Sequence, residues 1–346
     1  MQKKIERDFF IDFIKGILMF SVIRGHFFSY TSCGNSDILG NYPAYLMLFQ
    51  MPLFMLVSGY FQKGSLNISN YFTKIKKSFY RLICPLITWT IICDIILCIN
   101  KDLTISDWIK TSYIYWYILC LFPTLLLFNT ITLLSIKCHI KPFFLFIAIC
   151  TTTLFIKYPF NVGFMFPFFI AGYYMHKYKG VMEQFEKTLY FKMLFFIALL
   201  FIIFFGGNFV FEKTFYCVDN RIINEPAKLY FVFYRYIANM TACFIVFYTI
   251  KLIYNHIKSL KITQFVCKLG KDSLYLYLAH ITILFYIYKP IIENLTYGTG
   301  ILTSYPALIQ YAFNIIFSII IVFLLFLLER LFKHNILCKE LFLGLK

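Results

Sequence analysis

Ten apolar runs alternate with short polar segments along the 346-residue chain. Most of the runs hold about 20 residues, which is the length a helix needs to cross roughly 30 Å of hydrocarbon. By residue number they are 9–30, 43–61, 79–99, 113–135, 142–157, 161–176, 189–209, 229–255, 273–290 and 306–329. The pattern therefore predicts an all-α, polytopic membrane protein with about ten transmembrane helices.

The fifth and sixth runs are short and lie close together. Only a turn at Lys157–Pro159 separates them, so a re-entrant pair stays an alternative to two full spans. The longest polar stretch, residues 208–228, fits a single loop between spans. We therefore expect one integral membrane domain over residues 1–346.

The basic residues predict the orientation of this domain. Lys and Arg collect in loops on the cytoplasmic side of membrane proteins. With the N-terminus inside, 23 of the 33 Lys and Arg residues fall in inner segments and seven in outer ones. The remaining three, Lys15, Arg24 and Arg235, lie within spans. The sequence thus predicts that both ends are cytoplasmic.

Composition agrees with a membrane location. The chain is 60% hydrophobic and 14% charged, with a mean hydropathy of +0.74, whereas soluble domains are about 25% charged. The net charge of +17 would suggest nucleic acid in a soluble protein, but here the charges form clusters between apolar runs. The eleven cysteines show no CxxC pair and no His/Cys ligand spacing. We expect the lipid bilayer as a partner, no nucleic acid and no metal.

Charged side chains within a span usually face a cavity or a partner, and the first run holds several. On a helix, Asp8, Asp12, Lys15 and His26 fall within about 40° of one line, with Arg24 nearly opposite His26. Lys15 and His26 are separated by about 16 Å along the axis. Ion pairs at i, i+3 and i, i+4 would explain the first three residues, but they leave His26 unexplained.

Five segments resemble the motifs of a known family. DFIKGILMFSVIRGH (residues 12–26) is similar to the first-helix signature of the membrane acyltransferase 3 family, in which a basic residue precedes a functional histidine by eleven positions. Many members have Arg there, whereas Lys15 is typical of the fucose and polysaccharide O-acetylase-like branch. The other segments are FQMPLFMLVSGYF (49–61), KKSFYRLICPLITW (76–89), WYILCLF (116–122) and LGKDSLYLYLAH (269–280). The resemblance covers most of the chain in the same order.

The resemblance implies a membrane-bound O-acyltransferase. Such an enzyme would move an acetyl or other short acyl group from acetyl-CoA or another acyl-CoA to a hydroxyl of a cell-surface or lipid-linked glycan. The reaction needs a base for the hydroxyl proton and positive charge or donors near the oxyanion. By the resemblance, His26 is the candidate base and Lys15 its basic partner. A bacterial inner membrane is the expected location, and the oligomeric state is left open.

Two arginines and an inner cluster are candidates for substrate binding. Arg24 and Arg235 could orient the acceptor or stabilise charge. A structural ion pair between helices, for example with Glu225 or Asp219, would explain each arginine equally well. Arg81 could neutralise the phosphates of a cytoplasmic acyl-CoA, while the orientation rule alone explains the lysines around it.

Two more side chains have a structural alternative. Trp116 could stack on a sugar ring or belong to the interfacial aromatic belt. His280 could form a second polar wall of the cavity or simply be a packed histidine. A transporter or flippase of a lipid-linked sugar or polysaccharide is the rival function, because about ten spans with charges inside the membrane suit it as well.

Overall fold

The computed structural model describes residues 8–31, 42–65, 67–98, 105–153, 155–156, 158–205, 228–284 and 307–344. Every regular element in these ranges is helical, which confirms the all-α prediction. In chain order the α-helices are α1 (Phe9–Thr31), α2 (Tyr42–Tyr60), α3 (Ile68–Ser78), α4 (Cys84–Cys98), α5 (Ile105–Ile114), α6 (Trp116–Lys137), α7 (Pro142–Thr152), α8 (Val162–Lys177), α9 (Lys179–Phe185), α10 (Leu189–Phe205), α11 (Lys228–Ile257), α12 (Lys261–Lys271), α13 (Ser273–Ile281), α14 (Ala307–Lys333) and α15 (Ile336–Leu343).

Several helices are apolar and long enough to cross a bilayer. Within the described ranges, four stretches meet both conditions: Ile68–Cys98, Trp116–Lys137, Leu229–Ile257 and Ala312–Lys333. The pair α9 and α10, bent by 85°, makes a fifth if it counts as one span. The chain is therefore a membrane protein, whereas the count of ten spans and the cytoplasmic ends stay predictions.

Helix α10 shows most directly that lipid surrounds the helices. Ala198 is its one buried residue, while the side chains of Tyr190 and Phe204 are 77% and 72% exposed. A helix that is apolar on every side and yet uncovered by protein would leave a large hydrophobic surface in water. In a bilayer the same surface contacts acyl chains and carries no such cost.

An irregular turn joins α3 to α4. Asn67 begins the amphipathic α3 and accepts a hydrogen bond from the Asn70 amide at 2.8 Å. At Phe79–Ile83 the helix widens into a π-helical turn. Pro85 follows this turn, and because proline has no amide hydrogen it cannot bond the Arg81 carbonyl four residues earlier. The turn thus separates the polar helix α3 from the apolar helix α4.

By their contacts, the residues form two compact units. The first unit combines residues 1–39 with 246–331, and the second combines residues 40–245 with 332–346. Residues that are far apart in sequence thus belong to the same unit, since the first unit combines an N-terminal segment with a C-terminal one. The prediction of a single domain stays a prediction.

In the first unit, α1 packs closely on α12 at a glycine crossing. A β-carbon added to Gly16 would overlap the Val266 carbonyl oxygen, and one added to Gly270 would overlap the carbonyl oxygen of Asp12. Small residues let two helix backbones approach in this way within a membrane. The crossing continues into α13, which also contacts α1.

In the second unit, α2 and α8 meet at a similar crossing. Gly59 lies against the Phe169 backbone and Gly172 against the Leu56 carbonyl. The Ser65 hydroxyl donates to the Asn129 side chain at 2.7 Å, which ties the segment after α2 to α6. This bond satisfies the buried Ser65 hydroxyl, as burial requires.

Candidate active site

Two histidines that are distant in sequence meet in the first unit. His26 lies on α1 and His280 on α13, and their ring centroids are 5.5 Å apart with the planes inclined at 40°. The His280 ring is fully buried, and that of His26 is partly exposed. The structure thus brings together two residues that the sequence singled out on distant segments of the chain.

The hydrogen bond of His280 fixes its tautomer. Its Nδ1 lies 2.8 Å from the Leu276 carbonyl oxygen, one turn earlier in the helix. A carbonyl can only accept, so we assign the proton of the neutral ring to Nδ1. The lone pair is then on Nε2, which is buried and has no hydrogen-bond partner among the residues that the structure describes.

Helix α1 carries the other predicted residues of the first run. It is continuous from Phe9 to Thr31, so Lys15 lies about 16 Å along the axis from His26, as predicted. Asp12 is buried, whereas Lys15 and Arg24 are partly exposed. The proposed roles of Lys15 and Arg24 stay predictions.

A basic pocket lies in the second unit, where the α3–α4 junction meets α15. Its volume is about 490 Å³, which is within the usual range for ligand pockets. The lining residues are Thr73, Lys76, Lys77, Tyr80, Arg81, Cys84, Glu340, Leu341 and Gly344. Three of them are cations and one is a carboxylate, so the pocket can attract an anion. Arg81 is one of the lining residues, as a site for the phosphates of an acyl-CoA would require.

Lys74 belongs to the same basic cluster in sequence, but its side chain bonds to backbone carbonyls and does not line the pocket. Its ammonium group donates to the carbonyls of Lys63 and Gly64, and the bond to Gly64 is 2.7 Å long. These bonds tie α3 to the segment that follows α2. The structure thus divides the cluster: Lys76, Lys77 and Arg81 line the pocket, and Lys74 holds a loop.

Helix α15 closes one side of this pocket. The Trp89 indole N–H on α4 donates to the Phe342 carbonyl at 3.2 Å, and the rings of Phe342 and Phe332 stack with centroids 4.3 Å apart. Both contacts hold Glu340 beside the cations. The sequence carries no signal for Glu340, because nothing local indicates that the C-terminal segment folds back on α4.

Arg235 is buried in the second unit against aromatic rings. Its side chain is 1% exposed, and its guanidinium carbon lies 4.3 Å from the centroid of the Phe164 ring, a cation–π distance. The alternative partners, Glu225 and Asp219, lie outside the described residues. A contact with an acceptor therefore stays a prediction for Arg235.

Trp116 begins α6 in the same unit. It is partly exposed and packs edge-on against Tyr117, with ring centroids 6.1 Å apart. The Tyr117 hydroxyl lies 3.1 Å from the Ser58 hydroxyl on α2. Stacking on a sugar and membership of the aromatic belt both stay open for Trp116.

Comparison with known proteins decides the family. The acyltransferase domain matches residues 8–327, a region that includes both histidines and the π-helical turn that carries Arg81. The chain belongs to the acyltransferase 3 family. It is therefore a membrane acyltransferase, as its motifs predict.

Curated relatives of this acyltransferase come from rhizobia. Nodulation protein NolL of Mesorhizobium japonicum is 28% identical over 298 residues, which cover 79% of this chain and 75% of the relative. Nodulation protein NolL of Sinorhizobium fredii is 33% identical over 85 residues, or 24% of this chain and 23% of the relative. No solved structure gives a significant match.

The acyltransferase also buries an acid that the sequence analysis passed over. Asp94 on α4 is 8% exposed, and among the described residues neither of its carboxylate oxygens has a hydrogen-bond partner. The signal was present, because Asp94 and Arg81 are the charged residues of the apolar run 79–99. An acid within a span is a functional candidate by default.

The described residues offer no ready metal site. In the ranges that the structure describes, no three His, Cys, Asp or Glu side chains lie close enough together to hold an ion.

Proposed function

We propose that this acyltransferase moves an acetyl or other short acyl group from acyl-CoA to a hydroxyl of a cell-surface or lipid-linked glycan. The observation that carries the proposal is the contact of His26 with His280 inside a domain of the acyltransferase 3 family. Imidazole is the side chain best suited to take and return a proton near neutral pH. Two imidazoles in contact within a membrane domain are costly unless they serve such a task.

The transfer requires a proton acceptor and a stabilised oxyanion. The acceptor hydroxyl attacks the thioester carbonyl carbon while His26 takes its proton. Arg24 and Arg235 are our candidates for orienting the acceptor or balancing the developing negative charge, and Trp116 for stacking on the sugar ring. Lys15 supplies positive charge on the His26 helix, and His280 forms the polar wall next to it.

The basic pocket is our candidate for the phosphates of the donor. Coenzyme A carries several phosphate charges, and Lys76, Lys77 and Arg81 offer three cations in one cavity. Arginine and lysine bind phosphate through charge-assisted hydrogen bonds. The Glu340 carboxylate lines the same cavity and would repel phosphate. Binding of the acyl donor would therefore depend on the balance between the three cations and this one anion.

We further propose the membrane arrangement that the sequence predicts. It has about ten spans, cytoplasmic ends and a bacterial inner membrane, with residues 1–346 acting as one domain. The distribution of basic residues supports the orientation, and the rhizobial origin of the relatives supports a bacterial host. The family match favours the enzyme over the transporter or flippase alternative.

The experiment measures base-labile acyl groups on the host's surface glycans by mass spectrometry. Cells that lack the protein receive wild type, His26→Ala or His334→Ala, with matched membrane levels. His334 is an exposed histidine in the turn before α15 and serves as the control. Wild type and His334→Ala should restore the acyl mass, and His26→Ala should not.

Two other results would contradict this proposal. Restoration by all three chains would show that His26 is structural. Loss of surface glycan without any change in acylation would favour a transporter.

A further inference from the structure

Proton transfer to His26 creates a charge that needs a partner. A neutral imidazole has one N–H donor, and an imidazolium has two. In a water-poor membrane site, the new cation is costly unless a hydrogen-bond acceptor faces it. An acceptor beside His26 would therefore stabilise the state in which the reaction's proton sits on its ring.

The Nε2 atom of His280 has the properties of this acceptor. The bond from Nδ1 to the Leu276 carbonyl fixes the lone pair on Nε2. The ring is fully buried and its centroid lies 5.5 Å from that of His26. Among the described residues nothing bonds to Nε2, although an unsatisfied buried polar atom costs about 1–3 kcal/mol.

We propose that His280 Nε2 accepts a hydrogen bond from the His26 imidazolium in the transition state. The proposal rests on the proposed function and deepens it. His280 is then a positioning residue that acts through His26, and its unmet acceptor is satisfied when the charge forms. The substrate proton goes to the basic nitrogen of His26, so the donor to His280 is the N–H on the other nitrogen, and this bond strengthens as the ring becomes charged. An interaction that is stronger in the transition state than in the ground state raises kcat.

The full step balances without another reactant. The hydroxyl oxygen forms a bond to the thioester carbon, and its proton passes to His26, whose N–H donates to His280. The tetrahedral intermediate then collapses with breakage of the carbon–sulfur bond. The proton returns from His26 to the sulfur, so that coenzyme A leaves as a thiol and both rings are neutral again.

A purely structural role for His280 predicts something different. Its Nδ1 bond and its contact with Tyr277, at 5.7 Å between ring centroids, would then be all that matters. Side chains of equal size would replace it equally well, whether or not they carry an acceptor. Gln and Met are such a matched pair, because they have nearly the same length and Gln alone has a carbonyl acceptor.

The test compares His280→Gln with His280→Met in the purified full-length protein. Acetyl-CoA is the donor and the host's extracted surface polysaccharide is the acceptor probe. We expect His280→Met to lower kcat about 10- to 100-fold, the range for a lost hydrogen bond to a charge, with an unchanged KM for acetyl-CoA. His280→Gln should be at least fivefold faster than His280→Met, a difference above the effect of size alone.

Each result decides the question. A difference of less than fivefold between the two variants, or a difference in KM alone, overturns the role of His280. If thermal unfolding shows that His280→Met does not fold, the shorter pair His280→Asn and His280→Leu takes its place under the same criterion. A wild-type protein that transfers no acetyl group overturns the proposed function and this inference together, whereas an active wild type with equal variants overturns the inference alone.

Discussion

The glycine crossing of α1 and α12 makes a sharp prediction for Gly270→Ala. The added β-carbon would overlap the Asp12 carbonyl oxygen, whereas ordinary contacts begin near 3.4 Å. A backbone oxygen in a helix cannot rotate away, so the two helices must separate by about 1 Å or more. Overpacking of this kind costs about 1–3 kcal/mol.

The same movement should affect the histidine pair. His280 follows Gly270 on the next helix, and a displacement of the α12–α13 segment changes its distance from His26. A misplacement of about 1 Å in a catalytic group can cost about 100-fold in rate. We therefore expect Gly270→Ala to lower the unfolding temperature in detergent and to reduce acyl transfer about 100-fold.

Gly180→Ala is the matched control. Gly180 lies on α9, and a β-carbon there meets nothing within 4 Å. Alanine is the better helix former by about 1 kcal/mol, so this variant should be as stable as wild type or more stable, with full activity. Thermal unfolding and transfer from acetyl-CoA to surface polysaccharide are measured on both variants. A Gly270→Ala protein with wild-type stability and activity would refute the close crossing.

Three further changes test the basic pocket and its closing helix. Arg81→Gln should weaken acetyl-CoA binding about 10-fold or more through loss of charge-assisted bonds, as measured by calorimetry. Lys74→Gln, on α3 just before this turn but outside the pocket, should change the affinity less than Arg81→Gln does. Glu340→Gln should strengthen binding about two- to fivefold, since an exposed charge contributes about 0.2–1 kcal/mol, and weaker binding would contradict the opposing role of its carboxylate. Trp89→Phe removes the hydrogen bond to the Phe342 carbonyl and should lower the free energy of unfolding by about 1 kcal/mol. We expect a lower unfolding temperature and faster proteolysis of the C-terminal segment. An unchanged cleavage rate would argue against this bond as an anchor of α15.

Much of the helical fold follows from the sequence, because apolar runs of span length have one way to satisfy their backbone in lipid. The run 189–209 becomes α10 at Leu189–Phe205, and the run 229–255 becomes the longer α11 at Lys228–Ile257. The π-helical turn before Pro85 is less accessible, since proline can kink, widen or end a helix. Helix α15 escaped prediction because it is short and its partner, α4, is far away in the chain.

The candidate site could be predicted only in parts. The spacing of Lys15 and His26 on one helix follows from 3.6 residues per turn, and family resemblance pointed to His280. Neither shows which helix faces meet, because a contact between helices depends on packing across the whole unit. The division of the basic cluster between Lys74 and Arg81 depends on side-chain directions that a charge count cannot supply.

The spacing of glycine and histidine explains how the first unit can align two rings so far apart in sequence. Gly16 precedes His26 by ten residues, and Gly270 precedes His280 by the same number. Because contacts occur at both the glycine pair and the histidine pair, the two segments run parallel and remain in register between these points. Ten residues at about 1.5 Å each place both rings at a similar height above the crossing. The glycine crossing therefore sets the relative position of the two histidines. A one-residue insertion or deletion between glycine and histidine on either segment would turn one histidine by about 100° around its helix and remove it from the pair.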